Sequence, residues 1–240
     1  MTKQLLLSGS LLVLLLGLPA RAQTPAETRS FQQEAGDRSI LFRGKQATFY
    51  RFAANGTPYW DNAGFRRGDI IFEGNTYYDV SVDIDAYAHR ALVHLASGPF
   101  VVELTPDLTP SIVMDGRRFA GFGPDEALPE GFYEILGNGQ ELVYKRVDKY
   151  LQSSLNNVNG SPIGYEDPDY RDDVFRYFAQ ECTYYFRDAE GRFTRIKSRG
   201  ALLRQFPERR RELRKALKEL HIRRDDFDRY CTELLKLTER

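Results

Sequence analysis

The chain has 240 residues, of which 42% are hydrophobic and 28% charged, and its 34 basic and 34 acidic side chains cancel. This composition is typical of a globular protein with a real core and excludes an intrinsically disordered chain. The charge is unevenly spread, because residues 192–240 hold 16 Lys/Arg against 8 Asp/Glu, a net +8, whereas residues 23–191 carry a net −10.

Residues 1–22 have the three parts of a cleavable secretory signal peptide. Lys3 provides the basic start, and an apolar stretch of 14 residues follows over 5–18. The small residues Ala20 and Ala22 then suit a signal peptidase. A membrane-spanning helix needs roughly 20 apolar residues, so a retained anchor is the weaker alternative. No later apolar run is long enough to span a bilayer, which predicts a periplasmic or secreted protein without a transmembrane anchor.

The remaining chain divides into three stretches. Residues 23–39 are polar and predict a flexible lead-in. Residues 40–196 predict an antiparallel β body with a long loop at 153–173, which is rich in Ser, Asn, Gly, Pro and Asp. Residues 197–240 switch to helical periodicity and predict a helical tail that belongs to the same domain.

Short strands separated by turn signals fill the β body. In the strongest, Thr76–Tyr87, apolar and acidic residues alternate, which predicts a sheet with one apolar and one solvated face. Asn138-Gly139 predicts a hairpin turn between strands at 132–136 and 141–147. The other predicted strands are 69–72, 90–95, 101–104, 112–114, 117–122, 175–187 and 193–196.

Up to three helices are predicted in the tail. Ser198 caps a short first helix, and Pro207 sits in the first turn of the second. Asp225 or Asp226 begins the last helix. Three apolar residues share one face of the second helix: Leu213, Leu217 and Leu220.

The basic charge of the tail has two interpretations. It offers a patch for an anionic partner, or its helices carry solvated charged faces that pair in part with the acidic body. The second interpretation is favoured. A nucleic acid is not expected as a partner, because exported proteins seldom meet one and acidic residues interrupt the tail.

The two cysteines, Cys182 and Cys231, allow a single disulfide, which export would permit. It would tie the last helix to a preceding strand. The alternative is two buried thiols. A catalytic thiol is not expected, because no histidine lies near either cysteine in the sequence.

Two sets of side chains are candidates for contact with a ligand. Carboxylates and imidazoles of Asp83, Asp85, His89 and His94 form the weak candidates for a metal site, but their spacing matches no established site, so no metal and no cofactor is expected. Aromatic side chains in adjacent pairs can place one ring in the core and the other against a ligand. The candidates for ligand binding are Trp60, Tyr59, Tyr77 and Tyr133, with core filling as the alternative.

Four blocks of the sequence resemble small exported proteins of Bacteroidota that have no assigned activity. They are Thr76–Asp85 (TYYDVSVDID), Gly116–Phe119 (GRRF), Gly131–Leu136 (GFYEIL) and Phe193–Ser198 (FTRIKS). The resemblance implies export and a β-rich body with a helical tail. It implies no substrate and no catalytic residues.

These patterns predict an α+β fold, in which a curved antiparallel β-sheet, with a half-barrel as one form, carries two or three C-terminal helices. No nucleophile elbow or glycine-rich phosphate loop is present. The favoured function is a non-enzymatic exported binding module for a hydrophobic ligand, a glycan or an envelope protein. The alternatives are a structural or interaction protein that docks through its basic helical tail, and a hydrolase with an unrecognised site.

Overall fold

The computed structural model describes residues 25–51, 54–61, 64–124, 126–155 and 174–239. The α-helices in these ranges are α1 (Pro25–Ala35), α2 (Arg199–Leu203), α3 (Arg210–Glu219) and α4 (Phe227–Thr238), and two 3-10 helices lie at Gly36–Arg38 and Ile40–Arg43. The strands are β1 (Lys45–Gln46), β2 (Arg66–Phe72), β3 (Asn75–Asp85), β4 (Arg90–His94), β5 (Val101–Leu104), β6 (Ser111–Met114), β7 (Arg117–Phe122), β8 (Gly131–Leu136), β9 (Leu142–Leu155), β10 (Val174–Arg187) and β11 (Phe193–Ile196). None of these helices is long and apolar enough to cross a bilayer.

All strands belong to one antiparallel sheet in the order β1-β5-β4-β3-β2-β6-β7-β8-β9-β10-β11. Two meanders share its centre: β2 to β5 runs toward one edge, and β6 returns to pair with β2 before the chain continues to β11. The sheet is open, and helices are concentrated at the C-terminus. The predicted α+β class with a large antiparallel sheet and C-terminal helices is therefore confirmed.

The sheet curls strongly about its centre. Lys149 N in β9 donates to Ala86 O, just after β3, at 3.3 Å, although β3 and β9 lie five places apart in the strand order. The segment before β2 extends the sheet beside the end of β3, because Trp60 N donates to Ile84 O at 2.8 Å and Ala86 N to Pro58 O at 3.0 Å. These bonds bring distant strands together and confirm the predicted curvature.

One face of the sheet, here called the inner face, carries two hydrophobic clusters. Leu136 pairs with Val143 and Val143 with Phe186, so these three residues share the inner face and pack against α2, α3 and α4. The other cluster fills the bend around Val82 and Phe119. Burial of both clusters is the main source of stability in the fold.

The tail helices are held as their sequence predicts. Ser198 Oγ accepts a hydrogen bond from Ala201 N at 3.2 Å, and the Asp226 carboxylate accepts one from Arg229 N at 3.1 Å, so both predicted N-caps are confirmed. Leu213 and Leu217 are buried, whereas Leu220, at the end of α3, is 38% exposed. Leu220 follows the last residue of α3, Glu219.

The predicted flexible lead-in contains a helix in the structure. α1 lies beside β3, where Gln32 Oε1 accepts from Tyr78 N at 3.1 Å and the Arg29 guanidinium stands 4.7 Å from the Tyr78 ring centre. Polar side chains make these contacts, which explains why a search for apolar periodicity does not detect the helix.

The acidic face of β3 was expected to be solvated, and this is wrong for its second half. Asp83 and Asp85 are 1% and 0% exposed. Asp85 accepts from the Tyr50 hydroxyl at 2.7 Å and from Arg90 Nε at 3.1 Å. Tyr50, which lies 35 residues before Asp85, therefore helps to bury this carboxylate, and local alternation cannot predict such a contact.

β9 and β10 form a long hairpin in which Leu142–Leu155 pairs with Val174–Arg187 over its whole length. β9 thus continues into the start of the predicted loop at 153–173, and residues 156–173 lie outside the described residues.

Replacement of Gly121 in β7 tests how closely the sheet packs. A Cβ atom at this position would lie 2.5 Å from Thr109 O and closer still to Pro106 O, both of which are backbone atoms that cannot move freely. We expect Gly121→Ala to lower the free energy of unfolding by roughly 2 kcal/mol. The control Gly98→Ala, whose Cβ would meet only Phe100 Cδ2 at 3.5 Å, should change it little in the same urea titration. Equal stability of both variants would contradict the close approach of the Pro106 and Thr109 carbonyl groups to Gly121.

Candidate functional site

A cavity of about 990 Å³ lies between the N-terminal segment and the centre of the sheet. Residues 29–42 form one wall, and parts of β2, β3 and β6 form the other. Its apolar lining consists of Leu41, Phe42, Tyr77, Val80, Leu95, Val113 and Met114. Its charged lining consists of Arg29, Asp37, Arg67, Asp69, Asp79 and Asp115, and His94 also faces it.

A β-bulge in β3 creates the apolar lining. The register between β2 and β3 shifts between Gly68 and Ile70, and Asp79 adopts a positive φ of 54°. Tyr77 and Val80 are both buried as a result, although a regular strand would point them to opposite faces. Gly68 allows β6 to approach, since a Cβ there would lie 2.6 Å from Val113 O.

The charged groups at the cavity mouth also hold its walls. Asp37 accepts from Ala96 N at 3.1 Å and Ser97 N at 3.0 Å, which ties the N-terminal segment to the turn after β4. Arg67 Nη1 donates to Asp79 O at 2.8 Å and stabilises the bulge. The mouth therefore has a defined shape and presents charges of both signs.

Ser39 provides a polar group inside the cavity wall. The residue is 9% exposed, and its Oγ has no hydrogen-bond partner among the described residues. A buried hydroxyl without a partner costs about 1–3 kcal/mol. Ser39 lies in the cavity wall, but its Oγ atom is itself buried, so a ligand could bond to it only after the wall has moved.

The structure does not bring the four predicted aromatic ligand contacts together. Tyr77 lines the cavity, whereas the Trp60 ring is buried 5.2 Å from the Phe119 ring centre. Tyr133 is fully buried and donates to Pro129 O at 2.6 Å, and burial raises its pKa to about 12. Tyr59 packs beside Leu92 on the opposite face of the sheet. Ligand contact stays a prediction, which the geometry supports for Tyr77.

The weak candidates for metal binding are dispersed. Asp85 binds Tyr50 and Arg90, His89 Nε2 lies 3.3 Å from an oxygen of Asp148, and His94 Nδ1 lies 2.7 Å from Leu95 O. No group of three His, Cys, Asp or Glu residues in the described part of the chain could hold a metal ion.

Cys182 and Cys231 are free thiols, so the predicted disulfide is absent from the structure. Cys231 is buried among the tail helices, and burial raises its thiol pKa well above the usual range. Cys182 packs against the cluster in the bend instead. The two residues thus belong to different parts of the core.

A row of ion pairs on the inner face is not predicted by the sequence. Arg117 binds both oxygens of Glu134, at 2.7 and 2.9 Å, and its third nitrogen lies 3.0 Å from Asp61. Arg66 contacts both oxygens of Asp61 at 3.1 Å. The register of β7 with β8 brings Arg117 to Glu134, and the segment before β2 adds Asp61, so no sequence signal marks these groups. Because the acidic and basic side chains neutralise one another, these ion pairs serve to hold the bend of the sheet.

Asp83 differs from these paired carboxylates, because among the described residues its buried carboxyl has no charged partner in hydrogen-bond contact. One oxygen accepts from Ile84 N at 2.8 Å, and Oδ2 has no partner among the described residues. Burial opposes the charged form and raises the pKa of Asp83 to about 6.

No protein-family model, curated protein or solved structure matches this chain. The resemblance to exported proteins of Bacteroidota therefore stays a prediction.

The pH dependence of stability tests the state of Asp83. Its folded pKa of about 6 lies above the ordinary value of 3.8, so the folded state holds this proton more tightly than the unfolded state. The free energy of unfolding should therefore decrease as the pH rises from about 4 to about 6, by about 2–3 kcal/mol in total. We expect Asp83→Asn to remove this fall and to be more stable than the parent at pH 7.

Urea titrations from pH 4 to 8 provide the measurement. Asp79→Asn is the matched control, because the Asp79 side chain is 79% exposed, and it should keep the parent's pH profile. A variant at Asp83 that is less stable than the parent at pH 7 would contradict the assignment.

Proposed function

We propose that this protein is a non-enzymatic exported binding module whose cavity holds a small ligand with an apolar body and a polar end. The cavity of about 990 Å³ carries the proposal, because pockets for small molecules range over about 300–1,000 Å³. Its apolar lining and its charged mouth fit such a ligand.

A hydrophobic ligand fits this lining better than a glycan. Sugars stack on exposed aromatic faces. Tyr77 is buried to 7% exposure, and the Tyr78 ring is already covered by Arg29. Phe42, Leu95 and Val113, which line the cavity without being fully buried, instead offer apolar surface, which favours a hydrophobic body.

Several polar side chains at the cavity are already bonded to backbone groups, which does not favour a role in hydrolysis. Asp37 and Asp69 accept backbone N–H bonds, and His94 Nδ1 contacts Leu95 O. Ser39 Oγ has no hydrogen-bonded base among the described residues. These contacts favour binding over catalysis as the use of the cavity.

Export is supported by the sequence of residues 1–22 alone, which lie outside the described residues. Cleavage after Ala22 would leave Gln23 and Thr24 ahead of α1. The helix that walls the cavity would then stand at the N-terminus of the mature chain. The proposed location is the periplasm or the exterior.

Binding of twelve-carbon probes to the mature chain tests the proposal. Dodecanoate, dodecyltrimethylammonium and dodecyl maltoside, each below micelle formation, present one apolar body with three head groups, and maltose presents the sugar alone. We expect at least one dodecyl compound, and not maltose, to bind with one equivalent per chain in native mass spectrometry and calorimetry. We further expect Val113→Trp, which places an indole at the cavity, to weaken this binding by at least about tenfold.

Leu108→Trp is the control, since Leu108 is as exposed as Val113 and does not line the cavity. It should bind as the parent does. Failure of all three dodecyl compounds, or equal affinity of the two tryptophan variants, would overturn the proposal. Binding of maltose alone would replace the hydrophobic ligand with a glycan.

A further inference from the structure

The outward face of α3 carries four exposed cations. Arg211, Arg214, Lys215 and Lys218 follow one another at helical spacings of three, one and three residues, which places them on one side of the helix. We call this set the α3 stripe, and it extends over about 10 Å of helix axis. Leu213 and Leu217 bury the opposite side.

The stripe is unpaired, whereas its neighbours are not. Arg209 pairs with Glu212 and donates to Leu237 O and Thr238 O at the end of α4. Arg223 pairs with Asp225. Among the described residues, no carboxylate oxygen lies within 4 Å of a stripe nitrogen. The charge of Arg209 thus contributes to the fold, while the charge of the stripe is available to a partner.

The distribution of charge over the whole chain would orient the molecule. Residues 192–240 carry a net +8 and residues 23–191 a net −10. An anionic surface therefore attracts the tail and repels the body. This favours an approach in which the stripe faces the surface.

The surroundings of the stripe favour a bilayer over a protein partner. Protein interfaces derive most of their affinity from a few anchors, chiefly Trp, Tyr and Arg, that are desolvated in well-packed pockets. No aromatic residue accompanies the stripe on α3, and Leu220, the residue after the helix, is exposed on the side away from the stripe. Charge alone remains, and charge alone suffices for a lipid surface, where each Lys or Arg contributes roughly a fivefold gain in affinity.

We propose that the α3 stripe docks this protein on the surface of an anionic lipid bilayer. The contact is peripheral, because the apolar side of α3 stays packed in the core. It is independent of the ligand cavity, which lies against α1, β2, β3 and β6.

Flotation of the mature protein with lipid vesicles tests the proposal. We expect binding to phosphatidylcholine vesicles that contain about 30 mol% phosphatidylglycerol and none to pure phosphatidylcholine. Binding should weaken strongly between about 50 and about 300 mM NaCl, because added salt screens the charges. The fourfold variant R211Q/R214Q/K215Q/K218Q should bind at least about tenfold more weakly.

A second fourfold variant controls for net charge. R195Q/K197Q/R204Q/R224Q removes the same charge from other exposed positions of the tail. It should lose less than about threefold in affinity. Both variants should show the parent's melting temperature, since their substitutions lie on the surface.

Three results would overturn the proposal. They are absence of binding to the anionic vesicles, equal losses in the two variants, and unchanged binding of the stripe variant. Retention of the parent on a column of poly-glutamate without any vesicle binding would instead indicate an acidic protein partner.

Discussion

The backbone hydrogen bond from Lys149 N to Ala86 O joins the end of β3 to β9 and holds the bend of the sheet. An open antiparallel sheet of eleven strands tends to curl because its twist accumulates, and this bond fixes where the two parts of the sheet meet. Within the bend, Arg117 bridges Glu134 and Asp61, so the charges of three separate segments are satisfied at once. Removal of Arg117 would leave the buried Glu134 carboxylate without its partner, which would destabilise the bend.

The cavity depends on a local irregularity within this bent sheet. The bulge at Asp79 turns both Tyr77 and Val80 toward the core, and the N-terminal segment closes over them. Asp37 and Gln32 tie the first part of the N-terminal wall to the sheet through polar contacts, whereas Leu41 is buried in the core cluster. The polar part of the wall can separate without loss of the core, which would give a ligand a route to the interior.

Local chemistry made most elements predictable. The hairpin at Asn138-Gly139 and the caps at Ser198 and Asp226 were identified because turns and caps need particular residues in particular places. Long-range contacts made the rest inaccessible: strand register pairs Arg117 with Glu134, and Tyr50, which lies 35 residues before Asp85, covers that carboxylate. The cavity draws its lining from the N-terminal segment and four strands, so only Tyr77 and, as a weak metal candidate, His94 were named from sequence among its residues. The predicted disulfide is wrong because the number of cysteines does not determine their positions, and the fold places Cys182 and Cys231 in different clusters.

Hydrogen–deuterium exchange of the mature protein, with and without the dodecyl compound that binds it, tests most directly whether the cavity is the ligand site. Ligand between the N-terminal segment and β3 should slow exchange in residues 25–42 and 77–81 and leave α3 unchanged. Protection confined to any other part of the chain, or no protection at saturating ligand, would contradict the assignment of function to this cavity.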